Sequence, residues 1–270
     1  MKRIVFSWPE GKAGALTTSW DDGTVHDRRL IEILNRHGLK GTWNLNAGLL
    51  ATSPDGGEPR NRIARAEVNA LYAGHEVACH SCTHPSLTLI PEEAILAEMT
   101  ADRRALEELV GYPVKGMALP NGAYDRRVLQ RLRDCGIVHS RTTCSHSAFR
   151  LPEDFLEWHP TCHHKADLAA LWRTFLESRA PEKLFYLWGH SYEFDRDKNW
   201  DHIEAFARLA GPEANVWHAT NMAVYDYVRA WRGLWCGLDV TCVRNVAALP
   251  LWFRVDGELR RCDPNQSLAV

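Results

Sequence analysis

The feature that most restricts the fold of this 270-residue chain is an alternation, sustained from about residue 15 to residue 231, of short extended runs with amphipathic runs. The extended runs are Ala15–Trp20, Gly41–Asn46, Glu76–Cys79, Lys115–Leu119, Ile137–Thr142, Lys183–Trp188 and Ala214–Thr220. Between them lie helical patterns over Asp27–His37, Ala64–Ala73, Pro91–Val110, Asp125–Cys135, Asp167–Arg179 and Asn199–Ala210, with a last helix from about Met222 to Trp231. Leu168, Leu171, Trp172, Phe175 and Leu176 have the spacing of a helix face packed on a sheet. Gly38, Gly111 and Gly136 stand where left-handed helix caps form. Seven or eight such units predict an α/β fold of mainly parallel strands, a distorted (β/α) barrel over residues 1–235. Beyond Trp235 the texture changes to Val240–Arg244, Leu251–Val255 and Glu258–Arg261, with Asp256-Gly257 as a two-residue turn, so residues 236–270 read as a small β appendage. Pro and Gly residues at 53–59 mark a loop.

With 45% hydrophobic residues a chain of this length can bury one substantial core. A formal charge of −2 and the lack of any Lys/Arg run argue against nucleic acid or a polybasic membrane patch. No run of about 18 uncharged apolar residues exists to span a bilayer. The N-terminus lacks the longer apolar core of a secretory signal. Eight cysteines without dense pairing fit reduced thiols, most of them small apolar fillers. A cytoplasmic protein acting on a small molecule or oligosaccharide is the expectation; a homo-oligomer is left open.

Three polar clusters stand directly after extended runs. Ser19-Trp20-Asp21-Asp22-Gly23 reads either as a turn in which Asp22 caps the next helix, or as paired carboxylates at a barrel rim. In His80-Ser81-Cys82-Thr83-His84 a separation of four residues puts two imidazoles on one side of a helical turn, able to share one ion with a carboxylate; the alternative is two surface histidines. Leu187-Trp188-Gly189-His190 offers either an ordinary loop histidine or a proton donor suited to neutral pH.

Taken in this order, the clusters resemble the polysaccharide deacetylase family (carbohydrate esterase family 4) from about Ala15 to Trp231. The resemblance implies Asp21 as general base, Asp22, His80 and His84 as ligands of a divalent metal (zinc by preference, with cobalt, manganese or nickel as alternatives) and His190 as general acid. The family's Arg-x-Pro-aromatic-Gly motif is here Ala118-Leu119-Pro120-Asn121-Gly122, so the backbone N–H of Asn121 would face the oxyanion, while the arginine that braces the base is missing. Arg141 is a substitute brace, or else a surface arginine. The family's acidic-tryptophan motif is replaced by Glu157–His164. Cys162, His163 and His164 there are pocket polar groups, plain strand-end residues or a second metal site. Trp20, Pro120, Arg141, His164, Trp188 and Tyr192 are candidate substrate contacts.

The implied reaction is hydrolysis of an N-acetyl or O-acetyl group on a carbohydrate or related small amide. Two competitors are a hydrolase of cyclic amides or ureides on the same fold, and a catalytically silent carbohydrate-binding protein. Intact Asp22, His80 and His84 favour the metal enzyme over the first; the pairing of Asp21 with His190 favours it over the second.

Overall fold

The computed structural model describes residues 3–53 and 61–270. The expected loop at 53–59 therefore lies, apart from Ser53, outside the described residues. Strands β1 (Ile4–Ser7), β2 (Gly14–Asp21), β3 (Gly41–Leu45), β4 (Glu76–Cys79), β5 (Gly116–Ala118), β6 (His139–Arg141), β7 (Cys162–His163), β8 (Leu184–Gly189) and β9 (Val216–His218) alternate with helices α1 (Asp27–Arg36), α2 (Val68–Leu71), α3 (Glu92–Val110), α4 (Arg126–Asp134), α5 (Leu168–Glu177), α6 (Ser191–Arg196), α7 (Trp200–Ala210) and α8 (Asn221–Arg232). Strands β2 to β9 form one parallel sheet in the order β6-β5-β4-β3-β2-β8-β7, with β9 pairing the start of β2. One continuous segment draws its two edges together: Trp158 bridges Arg141 of β6, and Cys162 and His163 pair with Leu187 and Trp188 of β8. The expected distorted barrel is thus the observed fold.

All eight residues of β2 and all six of β8 are buried, as strands covered on both faces must be. Successive side chains on a strand point to opposite faces, and this rule separates two environments. Trp20 faces outward and packs against Trp43 and Phe194 under the helices. Around α5 and α7, Trp172, Phe175, Phe185 and Phe206 interlock in the same outer layer. Each such fully buried ring contributes roughly 1.5–3 kcal/mol. The inward face is polar: Thr17 bonds Asn221, Asn221 bonds Tyr186, and Glu76 takes bonds from Thr42, the Met222 N–H and His139. A buried polar lining of this kind is tolerated because its members pair with one another.

The C-terminal residues form β10 (Trp235–Cys236), β11 (Cys242–Arg244), β12 (Leu251–Val255), β13 (Glu258–Cys262) and β14 (Ser267–Ala269). Asp256 and Gly257, both at positive φ, make the tight turn between β12 and β13. The N-terminal strand β1 joins this unit by pairing with β12. The unit attaches at the N-terminal ends of the barrel strands, where Trp8 donates to the carbonyl of Lys183 just before β8 and Tyr227 donates to the carbonyl of Ser7. It therefore sits away from the strand ends that carry the polar clusters. No helix among the described residues is long and apolar enough to cross a membrane.

Candidate active site at the strand ends

Six strands deliver a polar residue to the same rim. Asp21 ends β2, His80 follows β4, Pro120-Asn121-Gly122 follows β5, Arg141 ends β6, His163 ends β7 and His190 follows β8. This is the C-terminal face, where barrel loops converge. Asp21 and Asp22 point differently because the strand ends between them: Asp21 lies inside the barrel mouth, 3% exposed, whereas Asp22 has turned into the left-handed region at φ 82°.

The segment 80–84 is not helical, which corrects the expectation of one helical turn. Ser81 and His84 have positive φ, and the chain folds back on itself through a bond from the His84 N–H to Ser81 Oγ. Asn46 holds the loop by donating to the carbonyls of His80 and Ser81. The result brings the two rings to 4.7 Å between centroids. His80 Nε2 and His84 Nε2 lie 4.0 and 3.9 Å from Asp22 Oδ1. Neighbouring ligands around a tetrahedral zinc ion are roughly 3.4 Å apart at bond lengths near 2.1 Å, so the three groups approximate a ligand set. His80 Nδ1 lies 2.8 Å from the carbonyl of Ala118, which fixes the Nδ1–H tautomer and leaves the Nε2 lone pair toward Asp22. Burial lowers the pKa of His80 despite the nearby Asp21 and Asp22, keeping the imidazole in the neutral form a metal requires. The residues present therefore fit a divalent ion.

Asp102 of α3 supports this loop from below, accepting the N–H of Ala47 at 2.7 Å and that of His80 at 3.0 Å. Burial raises its pKa to about 7. The His80 N–H also reaches the Leu45 carbonyl, so deleting the carboxylate strands mainly the Ala47 N–H. Asp102→Ala is expected to cost about 1–3 kcal/mol, measured by urea unfolding.

The base-like group is Asp21. Arg141, 0% exposed, forms an ion pair with Asp21 Oδ2, donates to Ser19 Oγ and to the Thr142 carbonyl, and stacks 4.3 Å from the Trp188 ring. Asn44 donates to Asp21 Oδ1 at 2.9 Å. Burial alone would raise the Asp21 pKa; the charges of Arg141, His80 and His190 overcome it and hold the carboxyl at about 2. Across the mouth, His190 Nε2 stands 3.8 Å from Asp21 and 4.0 Å from Asp22 Oδ2. Burial works against its protonation, but the bond to Glu193 and the charges of Asp21 and Asp22 outweigh that and raise its pKa.

Glu193, three residues beyond His190 on α6, did not stand out in the sequence. Its Oε2 receives His190 Nδ1 at 3.1 Å, His163 Nε2 at 3.0 Å and His164 Nε2 at 2.9 Å, while Lys165 and Arg196 bond Oε1. His163, His164 and Glu193 thus sit as close together as Asp22, His80 and His84 do. Their outer nitrogens differ from that of His80, however. His164 Nδ1 has no partner and His163 Nδ1 accepts the Lys165 N–H at 3.3 Å, so neither ring has the acceptor that orients a metal-bound imidazole. The arrangement is one carboxylate surrounded by N–H donors.

Three expected substrate contacts are corrected. Trp20 is completely buried on the outward face of β2, opposite Asp21. His164 is completely buried, its ring 4.2 Å from Phe194 under α6. Pro120 is buried in the turn before Asn121. Trp188 is 8% exposed and serves Arg141 and Ser145, whereas Tyr192 is only partly buried beside His190. Asn121 has φ 57° and its side chain donates to Ser86 Oγ.

Fold and site together define a (β/α) barrel with a carboxylate–imidazole cluster at the C-terminal rim. Residues 9–139 match the family model of polysaccharide deacetylases. An Arthroderma benhamiae protein named a probable peptidoglycan-N-acetylglucosamine deacetylase is 28% identical over 123 residues, covering 45% of this chain and 26% of its own length. The chain thus spans about a quarter of the length of the curated relatives it matches. Among solved structures, one from Mycobacterium smegmatis assigned as a polysaccharide deacetylase superposes with TM-score 0.63 at 19% identity, covering 85% of this chain and 95% of that one. A carbohydrate esterase family 4 domain of a multidomain xylanase, from the hindgut metagenome of Trinervitermes trinervoides, gives TM-score 0.52 at 17% identity, with 81% and 92% covered. Residues 9–139 thus carry the likeness to the polysaccharide deacetylase family, on a barrel whose fold the two solved structures share.

Proposed function

We propose that this protein is a divalent-metal-dependent deacetylase that hydrolyses an acetyl group from an N-acetylated carbohydrate, with Asp22, His80 and His84 as the metal ligands. The observation that carries the reading is the convergence of Asp21, Asp22, His80, His84 and His190 at one barrel mouth, with Asp21 Oδ2 within 3.9 Å of both His80 Nε2 and His190 Nε2. When bound, the ion supplies Lewis acidity, polarising an acyl oxygen and acidifying water. Zinc is the first choice for a carboxylate and two imidazoles.

In this reading Asp21 takes the proton of the attacking water, and Arg141 keeps the carboxylate ionised and aimed. The Asn121 N–H donates to the oxygen on which negative charge develops. His190, with Nδ1–H held by Glu193, gives its Nε2 proton to the departing nitrogen as the C–N bond breaks, releasing acetate and a free amine. A sugar substrate is supported by the relatives named for peptidoglycan-N-acetylglucosamine. Eight free cysteines support a reducing compartment such as the cytoplasm.

The test is acetate release from N-acetylglucosamine and its oligomers, before and after chelation and again after adding zinc. Release that is lost on chelation and returns with zinc is the expected result. Release indifferent to chelation refutes the metal, and no release from any of these substrates refutes the deacetylase.

A further inference from the structure

Asp22 occupies a backbone conformation that a residue with a β-carbon avoids at a cost of roughly 1–2 kcal/mol, so something must hold it there. The holding element is a short strap, residues 61–63. Val25 N–H bonds the Asn61 carbonyl at 3.0 Å, Ile63 N–H bonds the Gly23 carbonyl at 2.9 Å, and Thr24 and Arg62 form an antiparallel bridge. From the middle of this strap the guanidinium of Arg62 donates to the Asp22 carbonyl, and its Nη1 lies 3.7 Å from Asp22 Oδ1. That oxygen is the one facing His80 and His84. Both ends of Asp22, the turned carbonyl and the carboxylate, are therefore gripped by one side chain.

We propose that Arg62 is a positioning residue for the metal site, clamping Asp22 so that its carboxylate stays aimed at the two imidazoles. The inference rests on the metal reading given above. Two effects of Arg62 oppose each other. Its clamp removes conformations of Asp22 that cannot bind an ion, whereas its positive charge repels one. The side chain is 22% exposed, so solvent screens the charge. The bond to the carbonyl acts on geometry and is not screened in this way. Groups that orient a metal ligand typically account for about 10- to 100-fold in affinity, and the clamp prevails.

The test is zinc affinity by competition with a chromophoric chelator, with Asp22→Ala protein as the baseline for binding by thiols. Arg62→Ala is expected to bind zinc about 10- to 100-fold more weakly. Arg62→Lys, which keeps a donor for the carbonyl, is expected to recover most of that loss. Arg65→Ala is the control: Arg65 anchors the chain just after the strap through the Ala47 carbonyl at 2.9 Å without touching Asp22, and its loss should leave affinity at the wild-type value. Unchanged or tighter binding by Arg62→Ala overturns the inference, as does a failure of lysine to rescue or an equal loss in Arg65→Ala. Wild-type protein that binds no more zinc than Asp22→Ala refutes the metal reading itself, and this inference with it.

Discussion

Asp21→Asn is expected to lower the rate of acetate release by about 10²–10⁴-fold, the range a positioned general base supplies, while zinc content stays at the wild-type value. The substitution removes the proton affinity and also the counter-charge of the buried Arg141, so folding is checked by urea unfolding beside the metal content. Asparagine has the shape of aspartate, and its amide oxygen can still accept the bond from Asn44 that now ends on Asp21 Oδ1. It cannot take a proton from water at neutral pH. The proposed ligands Asp22, His80 and His84 are untouched, so metal retention separates this loss from the collapse of the site. Residual activity within a few fold of wild type would move the base role elsewhere, and His190 is the other titratable group within reach at 3.8 Å.

The barrel could be read from the sequence because it follows from local patterns that repeat: an extended run, a helical face, a glycine cap. The helix α3 shows how closely this works, since Gly111 ends it in the left-handed region at φ 76°. What was missed depends on direction or on distance along the chain. Trp20 and Asp21 are adjacent in sequence, and only the period of two on a strand sends one under the helices and the other into the mouth. The separation of His80 from His84 suggested a helical turn, but two positive-φ residues make a loop that brings the same rings together. Arg141 could be named from its place at a strand end, whereas its ion pair with Asp21 spans 120 residues and needed the closed sheet. Glu193 was hidden in Ser191–Arg196, a segment of six residues with no apolar period to mark it as a helix. The closing contact of Trp158 and the pairing of β1 with β12 are likewise non-local, and no spacing announces them.

Arg141→Met is expected to destabilise the fold by about 3–5 kcal/mol at pH 7, the cost of leaving one member of a buried ion pair without its partner. Asp21 is 3% exposed and Arg141 is not exposed at all, so water cannot replace the guanidinium. The pH dependence gives the test its sign. In the wild type Asp21 is depressed to about 2, below its unfolded value of 3.8, so the pair's contribution is fully present above the unfolded value and is lost as pH falls through about 2. Without Arg141 the burial that raises the Asp21 pKa is no longer offset by its strongest counter-charge. The variant's defect should then be largest where Asp21 is forced to ionise and should shrink as acid protonates it. Urea unfolding of both proteins at pH 7 and pH 4 measures the difference. The double variant Asp21→Asn/Arg141→Met should recover much of the lost stability at pH 7, because it buries no unpaired charge. A single variant as stable as wild type, or a defect that grows on acidification, would mean that Arg141 does not neutralise Asp21. The brace assigned to it in the proposed mechanism would then fall, leaving the ligand set of Asp22, His80 and His84 unaffected.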